Sequence, residues 1–111
     1  MVIRVWMLAF YDGRGKIRNV TIPDTGKCVA VTEILDDVFY KGQNEFCDKC
    51  DKDQNLANVS SGDVVEFPEG NYHLVKAMGF KKLSFYQFVS YQKHLSRDER
   101  KTILHFVNLG D

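Results

Sequence analysis

The segment FCDKCDKDQN, residues 46 to 55, sets Cys47 and Cys50 at C-x-x-C spacing among three aspartates and an asparagine. Those residue types could clip a zinc ion, shuttle electrons as a dithiol, or wrap a calcium ion. Tetrahedral zinc needs two more sulfur or nitrogen donors, and the nearest reasonable ones are Cys28 and His73. Neither belongs to a second C-x-x-C or an H-x-x-H, so the ligand set Cys47, Cys50, Cys28 and His73 lacks a regular spacing. A redox pair belongs at a helix N-terminus that lowers the thiol pKa. Here Asp48, Asp51 and Asp53 would raise it. The calcium pattern begins well, with Asp51, Asp53 and Asn55 at the first three ligand positions of an EF-hand loop. It then fails at the sixth, where glycine is required and Leu56 stands, and at the twelfth, where glutamate is required and Gly62 stands. The segment therefore reads as a solvated polar loop with incidental thiols, and no cofactor or metal is expected.

Other chemistry is no better supported. His73, His94 and His105 have no Ser, Cys or Asp at a spacing that suggests a triad. The run GRGK at 13 to 16 lacks the spacing and the hydroxyl residue of a phosphate-binding loop. Without a convergent acid, base and nucleophile, the expectation is a protein that is not an enzyme.

A chain of 111 residues with 44% hydrophobic content matches one domain, residues 1–111, with a core large enough to fold without staples. The N-terminal run VIRVWMLAF is broken by Arg4 and lacks a signal-peptide cleavage site. No run approaches a membrane span, so the expected location is cytoplasmic, with no membrane partner. There three cysteines imply thiols rather than a disulfide framework, and the Asn58-Val59-Ser60 sequon has no glycan to carry. Charge sums to zero but is polarised. Residues 1 to 23 hold four basic and one acidic side chain, residues 24 to 69 four and eleven, and residues 70 to 111 seven and three.

The positioning elements follow from periodicity. Residues 2 to 10 and 17 to 23 flank the glycine-bearing turn YDGRGK and read as a β-hairpin spanning 2 to 22. Ile17, Val20 and Ile22 break strict alternation, which suggests a bulge near Asn19. In TEILDDVFYKG, Ile34, Leu35, Val38 and Phe39 recur at helical spacing, predicting a helix over 32–41 with Thr32 as N-cap and Gly42 as its stop. Residues 43 to 61 form a polar loop. A second hairpin, 63 to 78, turns at Pro68-Glu69-Gly70, after which Phe80 and Leu83 continue in extended or turn form. Ser84 opens an amphipathic helix, and Ser96 with Glu99 forms a capping box for another, so 84–109 reads as a helix pair, with one bent helix as the alternative. The expected fold is α+β: a bent antiparallel sheet or partly open small β-barrel, its apolar face covered by the short helix and the C-terminal helix pair.

Basic and aromatic side chains are interleaved, which suits single-stranded nucleic acid as well as a core. The candidate contacts are Arg4, Arg14, Lys16, Lys81, Lys82, Tyr11 and Phe80. A helix-turn-helix reading of the C-terminus is disfavoured because Asp98 and Glu99 would oppose phosphates.

The segments VFYKGQNEF, SSGDVVEF and YHLVKAMGFKKLS, in that order, resemble a small accessory domain of phage, plasmid and conjugative-element proteins, similar to the YodL-like domains. The matching positions are Gly42, Gln43 and Asn44, then Ser61, Gly62, Asp63 and Val64, then Gly79 and Phe80. The resemblance covers 30–83, and the loop 45–58 and the helical extension 84–111 depart from it. It implies a mobile-element or phage origin and no catalytic residues. The resulting expectation is an accessory protein that binds an unidentified protein partner or forms a homo-oligomer. The alternatives are a small-barrel module for single-stranded RNA and a small zinc domain built on the C-x-x-C.

The loop reading is tested directly. Protein purified without chelator should carry no stoichiometric zinc by elemental analysis, and Cys47→Ser should change stability by less than about 0.5 kcal/mol, as surface changes usually do. One equivalent of zinc, with a sharp fall in melting temperature on that substitution, would overturn it.

Overall fold

The computed structural model describes residues 1–9, 16–23, 30–43 and 58–93. Their elements run β1 (Val2–Trp6), β2 (Ile17–Thr21), α1 (Val31–Lys41), β3 (Val64–Glu66), β4 (Tyr72–Val75), β5 (Phe80–Leu83) and α2 (Phe85–Lys93). The strands form one antiparallel sheet in the order β2-β1-β3-β4-β5. The α+β class is as expected, and the sheet is open rather than closed into a barrel, with β2 and β5 at its two ends. Both expected hairpins are present. The second extends into a three-strand meander, because Phe80–Leu83 pairs with Tyr72–Val75 as a full strand.

The pleat sends alternate side chains to opposite faces, and here both faces are apolar. Ile3, Val5, Val20, Val65 and Val75 pack with Leu35 and Val38 of α1. Val64, Tyr72 and Leu74 pack with Phe88 and Tyr91 of α2. The two helices thus cover opposite faces, which corrects the expectation that they share one. The cause lies in β4, whose four residues are all buried and supply apolar surface to both sides. Each fully buried aliphatic or aromatic side chain contributes about 1.5–3 kcal/mol.

The expected bulge at Asn19 is absent. The register runs unbroken from Val2 opposite Thr21 to Trp6 opposite Ile17. Alternation is kept by Arg18, fully buried opposite Val5 on the α1 side, while Ile17 is only partly covered on the other. An arginine in an inward position is what made the pattern look irregular.

Helix α1 begins after Ala30, not Thr32, and has no side-chain cap. Glu33 in its first turn and Lys41 in its last match the helix dipole, and Lys41 pairs with Asp37 at 3.3 Å. It stops at Gly42 as expected, but for a steric reason. Gly42 sits at φ −78°, open to any residue, while a β-carbon there would collide with the Val59 side chain and lie 3.0 Å from the Val38 carbonyl. The Val59 N–H donates to the Gly42 carbonyl at 3.2 Å, and the Gln43 side-chain amide donates to the carbonyls of Phe39 and Val59 at 2.9 and 3.0 Å. Gly42 and Gln43 therefore latch the end of α1 to the segment that leads into β3.

That segment closes on Asp63, which is fully buried. Its two carboxylate oxygens accept the N–H groups of Ala9 and Ser60, each at 2.9 Å. Gly62 precedes it at φ +101°, and a β-carbon there would press on Ala9 and on the Tyr91 hydroxyl at 3.3 and 3.4 Å. The hairpin turn at 10–15, the second C-terminal helix and the loop expectation for 44–57 lie outside the described residues.

Asp63→Ala should lower the unfolding free energy by about 3 kcal/mol or more, because two buried N–H groups lose charge-assisted acceptors. Asp63→Asn, which keeps one acceptor oxygen, should lose less. Urea denaturation of the three proteins checks the order, and an Asp63→Ala protein as stable as the parent would refute it.

Candidate binding face

Helix α2 is set in phase by its first turn. The Gln87 N–H donates to the Ser84 hydroxyl at 3.1 Å, and the Ser84 N–H donates to Gln87 Oε1 at 2.9 Å, a reciprocal capping box. With that start, Phe88 and Tyr91 fall one turn apart on the inner side, both 3% exposed. The Phe88 ring stacks on Tyr72 at 4.3 Å and meets Trp6 edge-on at 5.4 Å. The Tyr91 hydroxyl donates to the Gly62 carbonyl at 2.6 Å. Burial pushes the Tyr72 phenol above its usual pKa, with Glu66 adding to the rise and Arg4 opposing it.

The same phase leaves Phe85 and Tyr86 outward, 67% and 81% exposed. Beside Tyr86 an open groove of about 220 Å³ runs between α2 and strands β4 and β5. Leu74 and Leu83 line it from the sheet, Tyr86, Ser90 and Tyr91 from the helix, and Lys81 from β5. Nothing in the sequence reading had singled out this groove. Its signal was the S-x-x-Q pair Ser84 and Gln87, which fixes which aromatics of SFYQFVSYQ face out.

Of the residues proposed for nucleic-acid contact, the described ones are spread across the sheet. Arg4 lies on β1, on the α2 side of the sheet, 3.8 Å from Glu66, which also accepts the Trp6 indole N–H at 2.8 Å. Lys16 precedes β2 and gives its carbonyl to the Met7 N–H. Lys81 and Lys82 are on β5, three strands from Arg4, or about 14 Å at ordinary strand spacing. They also point to opposite faces, because Lys81 pairs with Leu74 and Lys82 with His73. Phe80 is partly buried and packs against the α1-side core. Tyr11 and Arg14 lie outside the described residues.

Of the zinc candidates, Cys28, Cys47 and Cys50 lie outside the described residues as well. His73 sits in β4, 8% exposed, with Phe67 edge-on at 5.2 Å. Its Nδ1 is buried and accepts no hydrogen bond among the described residues. Among those residues no group of three or more His, Cys, Asp or Glu side chains is placed to hold a metal. No helix among them is long and apolar enough to cross a membrane.

Burial lowers the His73 pKa from its usual 6.5, and the neighbouring Lys82 charge lowers it further. The unfolded chain then binds this proton at a higher pH than the folded one. Stability from His73 is complete above about pH 6.5 and declines as pH falls through 6.5 toward the folded value. Replacing His73 by Leu should flatten the fall in melting temperature between neutral and mildly acidic buffer. Because His94 and His105 are common to both proteins, equal slopes would show that His73 does not carry it.

Comparison with known proteins found no match to any family model, curated protein or solved structure.

Proposed function

We propose that this chain is a non-enzymatic accessory protein that works in the cytoplasm by binding another protein, with the α2–β5 side as its contact face. The observation that carries the reading is Tyr86, exposed on the rim of an apolar groove, with Phe85 exposed next to it in sequence on a helix whose inner side is already filled. Scattered exposed hydrophobics are ordinary, but adjacent aromatics next to a recess favour a binding site. Aromatic side chains supply much of the energy at protein interfaces. Two buried polar side chains among the described residues have structural surroundings that support this reading. Both oxygens of Asp63 hold main-chain N–H groups, and His73 is packed inside the sheet. A phage or mobile-element setting is part of the proposal and rests on the motif resemblance at Gly42–Asn44, Ser61–Val64 and Gly79–Phe80.

Titration with labelled single-stranded DNA and RNA at low and high salt, beside sedimentation velocity, tests the reading. No binding at low salt is expected, leaving a protein partner or a second copy as the occupant. Tight binding that weakens steeply with salt would overturn it in favour of nucleic acid. Tyr86→Ser should alter stability by less than about 0.5 kcal/mol, since the ring lies outside the core.

A further inference from the structure

His73 and Lys82 stand directly opposite each other across the β4–β5 ladder, on the side of the sheet that packs with α1. Side chains so placed are near neighbours, and like charges there are destabilising. His73 is 8% exposed, with Val65 opposite it on β3 and the Phe67 ring edge-on at 5.2 Å. Its Nδ1 is buried and has no hydrogen-bond partner among the described residues. A neutral imidazole carries one proton and the cation one on each nitrogen. Charging His73 therefore sets a buried N–H at Nδ1 among apolar neighbours and a second positive charge across from Lys82.

The remaining charged groups around this site are placed as follows. Asp63, just ahead of β3, has its two carboxylate oxygens on the N–H groups of Ala9 and Ser60. Glu66 of β3 and Lys81 of β5 project to the α2 side. Arg18, a further cation on the α1 side, lies on β2, three strands from β4. On α1, Asp37 pairs with Lys41, while Glu33 and Asp36 are exposed.

The same two strands form the groove floor on their other face. Leu74 pairs with Lys81 and Tyr72 with Leu83, and both leucines line the groove. Phe88 stacks on Tyr72, and one residue, Ser84, separates β5 from α2. A ladder weakened at His73 and Lys82 thus takes the groove floor and the start of the helix with it.

We infer that the β4–β5 ladder is an acid-sensitive joint: a proton taken up by His73, opposite Lys82, releases β5 and the start of α2 from β4 and dismantles the groove, while β2, β1 and β3 stay paired. The joint stands on the geometry of the two strands. Its consequence, release of a partner in mild acid, rests on the protein-binding reading above.

Opening exposes His73 to water, where it binds its proton near the ordinary pH of about 6.5, so at about pH 5.5 opening is favoured up to about tenfold more than at neutral pH. Amide hydrogen exchange of the whole chain, followed by NMR at both pH values and expressed relative to the unstructured rate at each, reads this directly. The β5 amides paired with β4, and the Phe88 amide that donates to the Ser84 carbonyl, should lose protection by about that factor. The Val5 and Val20 amides should keep theirs. His73→Leu should abolish the acid loss, and Lys82→Gln, at an exposed position, should reduce it to about threefold. Equal loss at Val5 and Val20 would mean global unfolding and overturn the joint, as would a full loss retained by His73→Leu. A Lys82→Gln protein that loses protection as the parent does would overturn the cross-strand pair as its cause, and this variant decides if His73→Leu fails to fold. The protein-binding reading is decided separately, by the nucleic-acid titration.

Discussion

The carboxylate of Asp63 is fully buried, and each of its oxygens takes one main-chain N–H, from Ala9 beyond β1 and from Ser60 ahead of β3. A carboxylate out of water is tolerated only when such donors replace the lost hydration. Its own main chain extends the junction, since the Val75 N–H donates to the Asp63 carbonyl and the Gly62 N–H to the Val75 carbonyl, both at 2.8 Å. The Gly62 carbonyl in turn receives the Tyr91 hydroxyl from α2. The exit of β1, the entry to β3, the end of β4 and the second helix therefore meet around one acidic side chain. Its geometry requires a residue without a β-carbon just before it.

The latch at Gly42 and Gln43 is the counterpart of this junction on the first helix. Through Val59 it ties the end of α1 to the same segment that Asp63 organises, so the chain leaves at Gln43 and returns at Asn58 with its ends hydrogen-bonded together. Two short motifs that are well apart in sequence, Gly-Gln and Ser-x-Gly-Asp, thus belong to one continuous structural arrangement. Val59 links them by lying in the α1-side core.

With both helices anchored, the antiparallel sheet is buried on two faces at β3 and β4, where sheets of this kind commonly leave one in water, while Val2, Arg4, Asn19 and Thr21 on the α2 side of β1 and β2 stay exposed. The consequence for function lies in what remains outside. Phe88 and Tyr91 satisfy the α2-side core, so Phe85 and Tyr86 are left exposed, Tyr86 on the rim of a groove whose floor is the meander β4–β5.

Much of the fold was legible in the sequence because it is written in local rules. Alternation and turn residues located the hairpins, helical spacing located α1 and α2, and Ser84 marked the start of α2 through a bond three residues long. Gly42 was legible as a stop, although its reason, the Val59 side chain, came from a residue 17 positions away. Other features were out of reach because they depend on partners distant in sequence. Burial of Arg18 looked like a bulge, since an arginine in the core cannot be recognised without the strand opposite it. The placement of the helices on opposite faces depended on how β4 divides its side chains. The groove depends on the rotation of α2 against β5, and the role of Asp63 on N–H groups 54 and 3 residues distant. Sequence by itself determined the element types and their order, through short-range sterics and hydrogen bonding. Tertiary structure alone decided which polar side chains are architectural and which aromatics face water, because both are settled by what packs across the sheet.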